Sequence, residues 1–373
     1  MSKHVLLSLF VIVMVRSVVS AQDAEGAYQV ALQRIEAART SGASILELSY
    51  LPITHLPPEV KHLTHLQTLR LDYTRLEALP PEIRHLSQLE SLSINNAPLA
   101  SLPPEIGQLT RLRWLNLIGT YLTYLPDEIG QLTQLEWLSL RGTKLTSLPL
   151  TFGQLKQLRS LELDHTYIMH LPPQVGELSA LVELNASRMP LMTLPAEIGQ
   201  LAQLQALYLN HTLIETLPAE IGQLANLRRL HVYNTRLTHL PPALGQLVSL
   251  RDLDLHSTPL TFMPHELGQL ASLTSLDVSG TRLTALPAGL GEQGFIRHLS
   301  LNETLQARVP PRVFYEGTAA VLAYLTSYEI QLTRQIALAA GAGAMSLVIV
   351  VTAFRWRQRR GRREKKKSTL NIG

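Results

Sequence analysis

From Ala43 onward the chain repeats itself every 23 residues without insertion or deletion. Leu66, Leu89, Leu112, Leu135, Leu158, Leu181, Leu204, Leu227, Leu250 and Leu273 hold one slot of that period. A strict period predicts a solenoid. With that slot counted as 1, a copy reads L-x-x-L-x-L-x-x-T-x-L-x-x-L-P-x-E-I-G-Q-L-x-x, as in the run that opens at Leu204. Eleven copies precede a partial twelfth at Ile296. Leucines at slots 4 and 6, such as Leu207 and Leu209, alternate with polar residues at slots 3, 5 and 7, which predicts a short strand with one buried face. The second half has Pro to start a turn and Gly to end it, so it should return over the outer face as a short helical or irregular turn. One copy cannot bury its leucines alone; stacked copies do so together, and the two ends need caps.

This pattern resembles the leucine-rich repeat family, in its 23-residue class with L-P-x-E-I-G-x-L in the second half, found in Ras-scaffold-type animal and plant proteins and in bacterial Roco proteins. The resemblance covers residues 43 to 305. It implies an α/β solenoid with a parallel β-sheet on the concave face and short turns on the convex face. Slot 9 departs from the family's usual Asn and is mostly Thr: Thr74, Thr120, Thr143, Thr166, Thr212, Thr235, Thr258, Thr281 and Thr304. These hydroxyls read as a buried ladder that satisfies backbone groups where strand becomes loop. Leu51, Ala97 and Met189 interrupt it.

The repeats are flanked by candidate caps. In the segment 22–42, Tyr28, Ala31, Leu32 and Ile35 have helical spacing and Ser41-Gly42 forms a stop, which predicts a helical N-terminal cap. Val309-Pro310-Pro311 ends the repeats, and residues 318–330 read as a second capping helix within a cap and stalk at 306–335. The phrase PPRVFYEGTAAVLAYL resembles the linker that follows the repeats in bacterial Roco proteins, where a GTPase domain comes next. No G-x-x-x-x-G-K-[ST] loop occurs here, nor H-E-x-x-H, nor G-x-S-x-G, and there is no cysteine. The reading is of a chain that is not an enzyme and uses no cofactor.

Both termini carry targeting signals. Lys3, an apolar run at 5–15 and Val19-Ser20-Ala21 predict a cleaved signal peptide over 1–21. Residues 336–354 carry no charge and are long enough to cross a bilayer, which predicts one transmembrane helix. The tail, 355–373, holds nine Lys or Arg against the single Glu364, and such an excess marks the cytoplasmic side. The expected arrangement is a single-pass type I membrane protein with its repeats outside. Ala337 with Gly341, and Ala339 with Gly343, place small residues four apart and would let two such helices pair as a homodimer.

This placement changes the meaning of the charge. Of 33 basic and 29 acidic residues, setting aside the nine tail cations, Lys3, Arg16 and Glu364 leaves 22 against 28. The repeats are therefore acidic, and a nucleic-acid partner is excluded despite the net charge of +4.

Function then falls to the displayed slots. Slot 3 holds Trp114 and Trp137 on adjacent strands, while Tyr208, His231 and Tyr233 occupy slots 5 and 7 further on. Aromatic anchors among polar groups suit protein interfaces. Trp114, Trp137, Tyr208, His231 and Tyr233, with Arg141, Asp164, Glu183, Asn210 and Asp254 around them, are the candidate contacts for a protein or peptide ligand. A second reading has the aromatics packing sideways along the sheet. His231, Asp254 and Asp277 share slot 5, with His211 and His256 close by, but slot periodicity alone gathers such groups, so no metal site is assigned. The three Asn-x-Ser/Thr matches, at Asn185, Asn210 and Asn302, receive no role. The expected function is receptor-like or scaffold binding on the concave face, with any inward signal carried by an associated protein. The alternative is a structural or adhesive surface protein with weak, multivalent binding.

Overall fold

The computed structural model describes residues 24–292 and 296–327. The expected signal peptide, the span with its small-residue pairs and the basic tail lie outside them. Among the described residues no helix is long and apolar enough to cross a membrane. The chain divides into two compact units, one ending at Ile168 and the other beginning at Met169.

The first unit opens with α1 (Ala24–Ser41). Its buried stripe is Ala27, Ala31, Ile35 and Ala38. That stripe is rotated from the Tyr28, Ala31, Leu32 and Ile35 set, because small alanines let the helix lie close to the repeat below, while Tyr28 and Leu32 remain half-buried at its sides. Gly42, at φ 68°, turns the chain out of the helix. The Arg34 guanidinium donates to the Glu47 carbonyl at 2.9 Å and so ties α1 to the first strand.

Six three-residue strands follow: β1 (Ile45–Glu47), β2 (Thr68–Arg70), β3 (Ser91–Ser93), β4 (Trp114–Asn116), β5 (Trp137–Ser139) and β6 (Ser160–Glu162). They pair in parallel and in sequence order, Leu46 opposite Leu69 and Leu115 opposite Leu138, so one period of sequence is one step across the sheet. In the copy from Leu112, the side chains of Leu112, Leu115, Leu117, Leu122, Ile129 and Leu132 are fully buried. The returning halves are five-residue 3₁₀ helices, such as Asp127–Gln131. Pro126 enters in an extended conformation at φ −67°, the value its ring imposes. Two i→i+3 bonds then close the turn, Ile129 N to Pro126 O at 3.0 Å and Leu132 N to Ile129 O at 3.1 Å.

The second unit repeats the plan with β7 (Glu183–Asn185), β8 (Ala206–Tyr208), β9 (Arg229–His231), β10 (Asp252–Asp254), β11 (Ser275–Asp277) and β12 (His298–Ser300), again parallel and in order. Its returning halves are 3₁₀ helices until the last, which is the short α2 (Gly289–Glu292). After β12 the pattern changes. Asn302 Oδ1 accepts from Leu305 N at 2.8 Å and caps α3 (Glu303–Gln306), while Asn302 Nδ2 donates to Thr281 Oγ1 and the Leu283 carbonyl. Pro311 then occupies the first turn of α4 (Pro311–Tyr315), and residues 318–327 are helical, with Val321, Leu322 and Leu325 buried.

Three sequence slots behave in ways that periodicity alone does not show. At slot 9, the hydroxyls of Thr74, Thr120, Thr143, Thr212, Thr235, Thr258 and Thr281 each donate to the carbonyl three residues back, at 2.6–2.9 Å. Each bond is local to its own copy, not a rung between copies. Thr304 departs from the set: it lies exposed in α3. Slot 8 is left-handed in copy after copy, at Tyr50, Tyr73, Asn96, Gly119, Gly142 and His165 in the first unit and at Arg188, His211, Asn234, Ser257 and Gly280 in the second. This turn takes the chain off the sheet while its N–H still bonds the next copy, as Tyr73 N does to Asn95 O at 2.7 Å.

The glycine of L-P-x-E-I-G-Q-L does not end a turn by adopting positive φ. It permits adjacent 3₁₀ helices to touch. A Cβ on Gly130 would lie 2.5 Å from the Thr151 carbonyl oxygen, and one on Gly245 only 2.2 Å from that of Glu266.

Candidate functional site

Strand residues at slots 3 and 5 point away from the leucine core, since successive side chains alternate across a sheet. The candidate residues fall into two separate groups, one on each unit.

On the first unit, parallel register sets Trp114 opposite Trp137. Their rings lie 5.8 Å apart between centroids, tilted by 32°. Trp114 is 50% exposed and Trp137 half-buried, so the pair forms an apolar platform at the surface. Sideways packing and display are therefore both present. Just past the ends of β5 and β6, Arg141 Nε meets Asp164 Oδ2 at 3.1 Å, and His165 Nδ1 reaches the same oxygen at 3.0 Å. Asp164 itself is only 5% exposed, and its Oδ1 has no hydrogen-bond partner among the described residues. The slot-7 position read as displayed is here a buried carboxyl group, and Arg141 is what faces solvent.

On the second unit the residues interlock. Tyr208 meets His231 edge-on, centroids 5.2 Å apart, and His231 Nε2 contacts Asp252 Oδ2 at 2.9 Å. Arg229 lies over the Tyr208 ring, its guanidinium carbon 5.8 Å from the ring centroid. Burial pushes the Tyr208 hydroxyl above its ordinary value; Arg229 opposes this, while Glu183 and Asp252 add to it. Tyr233 is held between two imidazoles, edge-on to His211 at 5.2 Å and stacked on His256 at 4.2 Å with 14° between planes. His256 Nδ1 in turn contacts Asp254 Oδ1 at 2.7 Å.

Asn210, like Asp164, is a buried slot-7 residue, at 7% exposure, and its Oδ1 has no hydrogen-bond partner among the described residues. Asp254 has a structural task as well, because its Oδ1 accepts the His256 backbone N–H and caps the strand end. Two neighbours, Arg229 and Asp252, belong to this group although sequence reading left them out. Both sit at slot 3 of strands whose slot-5 residue had been singled out, and that pairing was the signal available. Beside them a depression of about 330 Å³ is lined by Gln205, Arg228, Arg229, Arg251 and Asp252. Among the described residues, Asp254, His256 and Asp277 bring ligand-type atoms within 4.8 Å of one another.

Chemically, both groups offer aromatic surface bordered by paired charges. That combination suits non-covalent recognition.

Residues 100–190 and 184–254 match the family described as a leucine-rich repeat region. No curated protein matches the sequence. Among solved structures, the chain is similar to a leucine-rich repeat protein of Leptospira interrogans, with 33% identity and a TM-score of 0.61, over 72% of this chain and 81% of that one. It is also similar to a TDR receptor, with 26% identity and a TM-score of 0.63, over 75% of this chain and 50% of the receptor chain. An internalin of Listeria monocytogenes shares the fold at 18% identity and a TM-score of 0.53, over 76% and 89% of the two chains.

Proposed function

Because the chain belongs to the leucine-rich repeat family, we propose that it is a non-catalytic binding protein that holds a protein or peptide partner on the sheet faces opposite its leucine core. Its 23-residue period and L-P-x-E-I-G-Q-L half assign it to the 23-residue class. The observation that carries the reading is the tryptophan platform. Trp114 stands half in solvent against Trp137, on the side of the strand away from the buried leucines. Large rings kept at a surface lose little conformational freedom on binding and bury much area, so they anchor interfaces. The Tyr208, His231, Tyr233 and Asp254 group supplies a second, more polar contact surface. The likeness to a TDR receptor supports a receptor-type role.

The same proposal places the repeats outside the membrane after loss of residues 1–21, held by a span at 336–354 with the basic tail inside. The uncharged run and the nine following cations support it.

The test is affinity capture from surface and secreted fractions of the native organism, using the purified full chain beside a Trp114→Ala/Trp137→Ala double variant. A partner held by the unaltered chain and lost by the variant supports the proposal. Equal capture by both forms would remove the platform from the site. Retention on whole cells or matrix without any discrete partner would favour an adhesive role.

A further inference from the structure

The geometry points to a divalent transition-metal site of the Zn²⁺ type on the second unit, formed by Asp254, His256 and Asp277. Their ligand-type atoms lie within 4.8 Å of one another.

The register brings these groups together. Asp254 and Asp277 are directly opposite on β10 and β11, so two carboxylates occupy consecutive rungs about 4.8 Å apart. Like charges so placed repel, and a cation between them removes the penalty. His256 follows Asp254 by two residues, which returns it to the same side of the strand.

Each ligand is also oriented by a contact of its own. Asp277 Oδ1 accepts from Ser279 N at 2.8 Å and from its hydroxyl at 2.6 Å. Asp254 Oδ1 accepts from His256 N at 3.1 Å. The His256 ring is stacked on Tyr233 at 4.2 Å. Among the described residues neither carboxylate has a hydrogen bond to its Oδ2, so one oxygen of each remains for an ion. Outer contacts that fix the direction of first ligands are what metal sites require. A divalent ion bound to His256 Nδ1 would displace the proton there and break the 2.7 Å contact with Asp254 Oδ1.

Two carboxylates and an imidazole form a mixed oxygen and nitrogen set. Imidazole selects transition ions over Ca²⁺ and Mg²⁺. All three residues are half-buried, which leaves coordination positions open to water.

The purified full chain, stripped with chelator, is titrated with Co²⁺ while visible absorption is followed, and its Tm is measured with and without Zn²⁺. Asp277→Asn keeps the acceptor for Ser279 and removes one of two repelling charges, so that variant folds at least as well without metal. His256→Gln removes the imidazole. His239→Gln, altering an exposed histidine bonded to Thr238, serves as the control. The expected result is ligand-field absorption from Co²⁺ and a Tm rise of about 2 °C or more with Zn²⁺ in the unaltered chain and the His239 variant. Affinity should fall at least about tenfold in the Asp277 and His256 variants. Absence of both responses in the unaltered chain, or equal responses in Asp277→Asn, would overturn the assignment, as would a Ca²⁺ response matching that of Zn²⁺.

Discussion

Gly222 lies so close to the neighbouring copy that a Cβ on it would stand 2.3 Å from the carbonyl oxygen of Ala243. The second-unit glycines Gly176, Gly199 and Gly245 repeat this relationship with the next 3₁₀ helix. The contact joins a sequence letter to the distance between stacked copies. In the first two copies Lys61 and Arg84 hold that slot.

Gly222→Ala should lower the unfolding free energy by about 1–3 kcal/mol, the usual cost of forcing an extra carbon into a packed site. Intrinsic helical preference works the other way, favouring Ala by about 1 kcal/mol. A fall measured by urea denaturation therefore reports the close approach, and an unchanged midpoint would show that the two 3₁₀ helices separate easily.

Substitutions at slot 8 should have opposite signs. Arg188 holds φ 55°, and Arg188→Gly should raise stability by about 1 kcal/mol by relieving left-handed strain. Gly142 holds φ 69° with its nearest foreign atom 3.7 Å from a built Cβ, so Gly142→Ala meets no clash and should cost about 1 kcal/mol from the backbone alone. Thermal unfolding of the pair would test the torsional account, because a contact-based account predicts no change at Gly142.

Thr120→Val keeps the side-chain shape but removes the hydroxyl that donates to the Leu117 carbonyl at 2.9 Å. The buried carbonyl then keeps the longer bond from Thr120 N, at 3.3 Å. A loss of about 1–2 kcal/mol is expected, read from denaturant midpoints. Thr304→Val, exposed in α3, should change stability by less than about 0.5 kcal/mol.

Trp114→Ala should leave the fold nearly intact, losing about 1 kcal/mol from the contact with Trp137. Binding of a captured partner should weaken by tenfold or more, as for an interface anchor. Circular dichroism and titration calorimetry separate the two effects, and weakened binding with a collapsed fold would count against a direct contact.

Tyr208 should ionise above its ordinary pKa of 10.0, chiefly because burial disfavours the phenolate. The folded state therefore prefers the neutral form. Its contribution to stability is present below pH 10 and is lost as pH rises through the raised value. In alkaline titration by ultraviolet absorbance, the transition missing from Tyr208→Phe should lie above pH 10; one below it would contradict the half-buried placement.

Much of the molecule was legible in the sequence. The 23-residue period named the parallel strands, because strands that step by one period set Leu207 opposite Leu184 and Leu230. Leucines at slots 4 and 6 marked the core, since only stacked copies bury both. Trp114 and Trp137 could be paired on paper for the same reason. The left-handed requirement at slot 8 was present only faintly, in Gly119, Gly142, Gly280, Asn96 and Asn234, because Tyr, His, Arg and Ser fill the same slot where stacking enforces the conformation.

What the tertiary structure alone decided was depth and partner. Asp164 and Asn210 share a slot with the exposed Arg141 and with half-buried residues of other copies, yet both are buried. His231 lies in register with Asp254 but meets Asp252 instead. Periodicity assigns each residue a column, and side chains longer than the strand spacing then choose among several rungs by packing and charge. The sequence therefore determined the stacking of copies through a repeated backbone geometry, whereas the pairings that make a surface specific arose from three-dimensional contacts among unlike side chains.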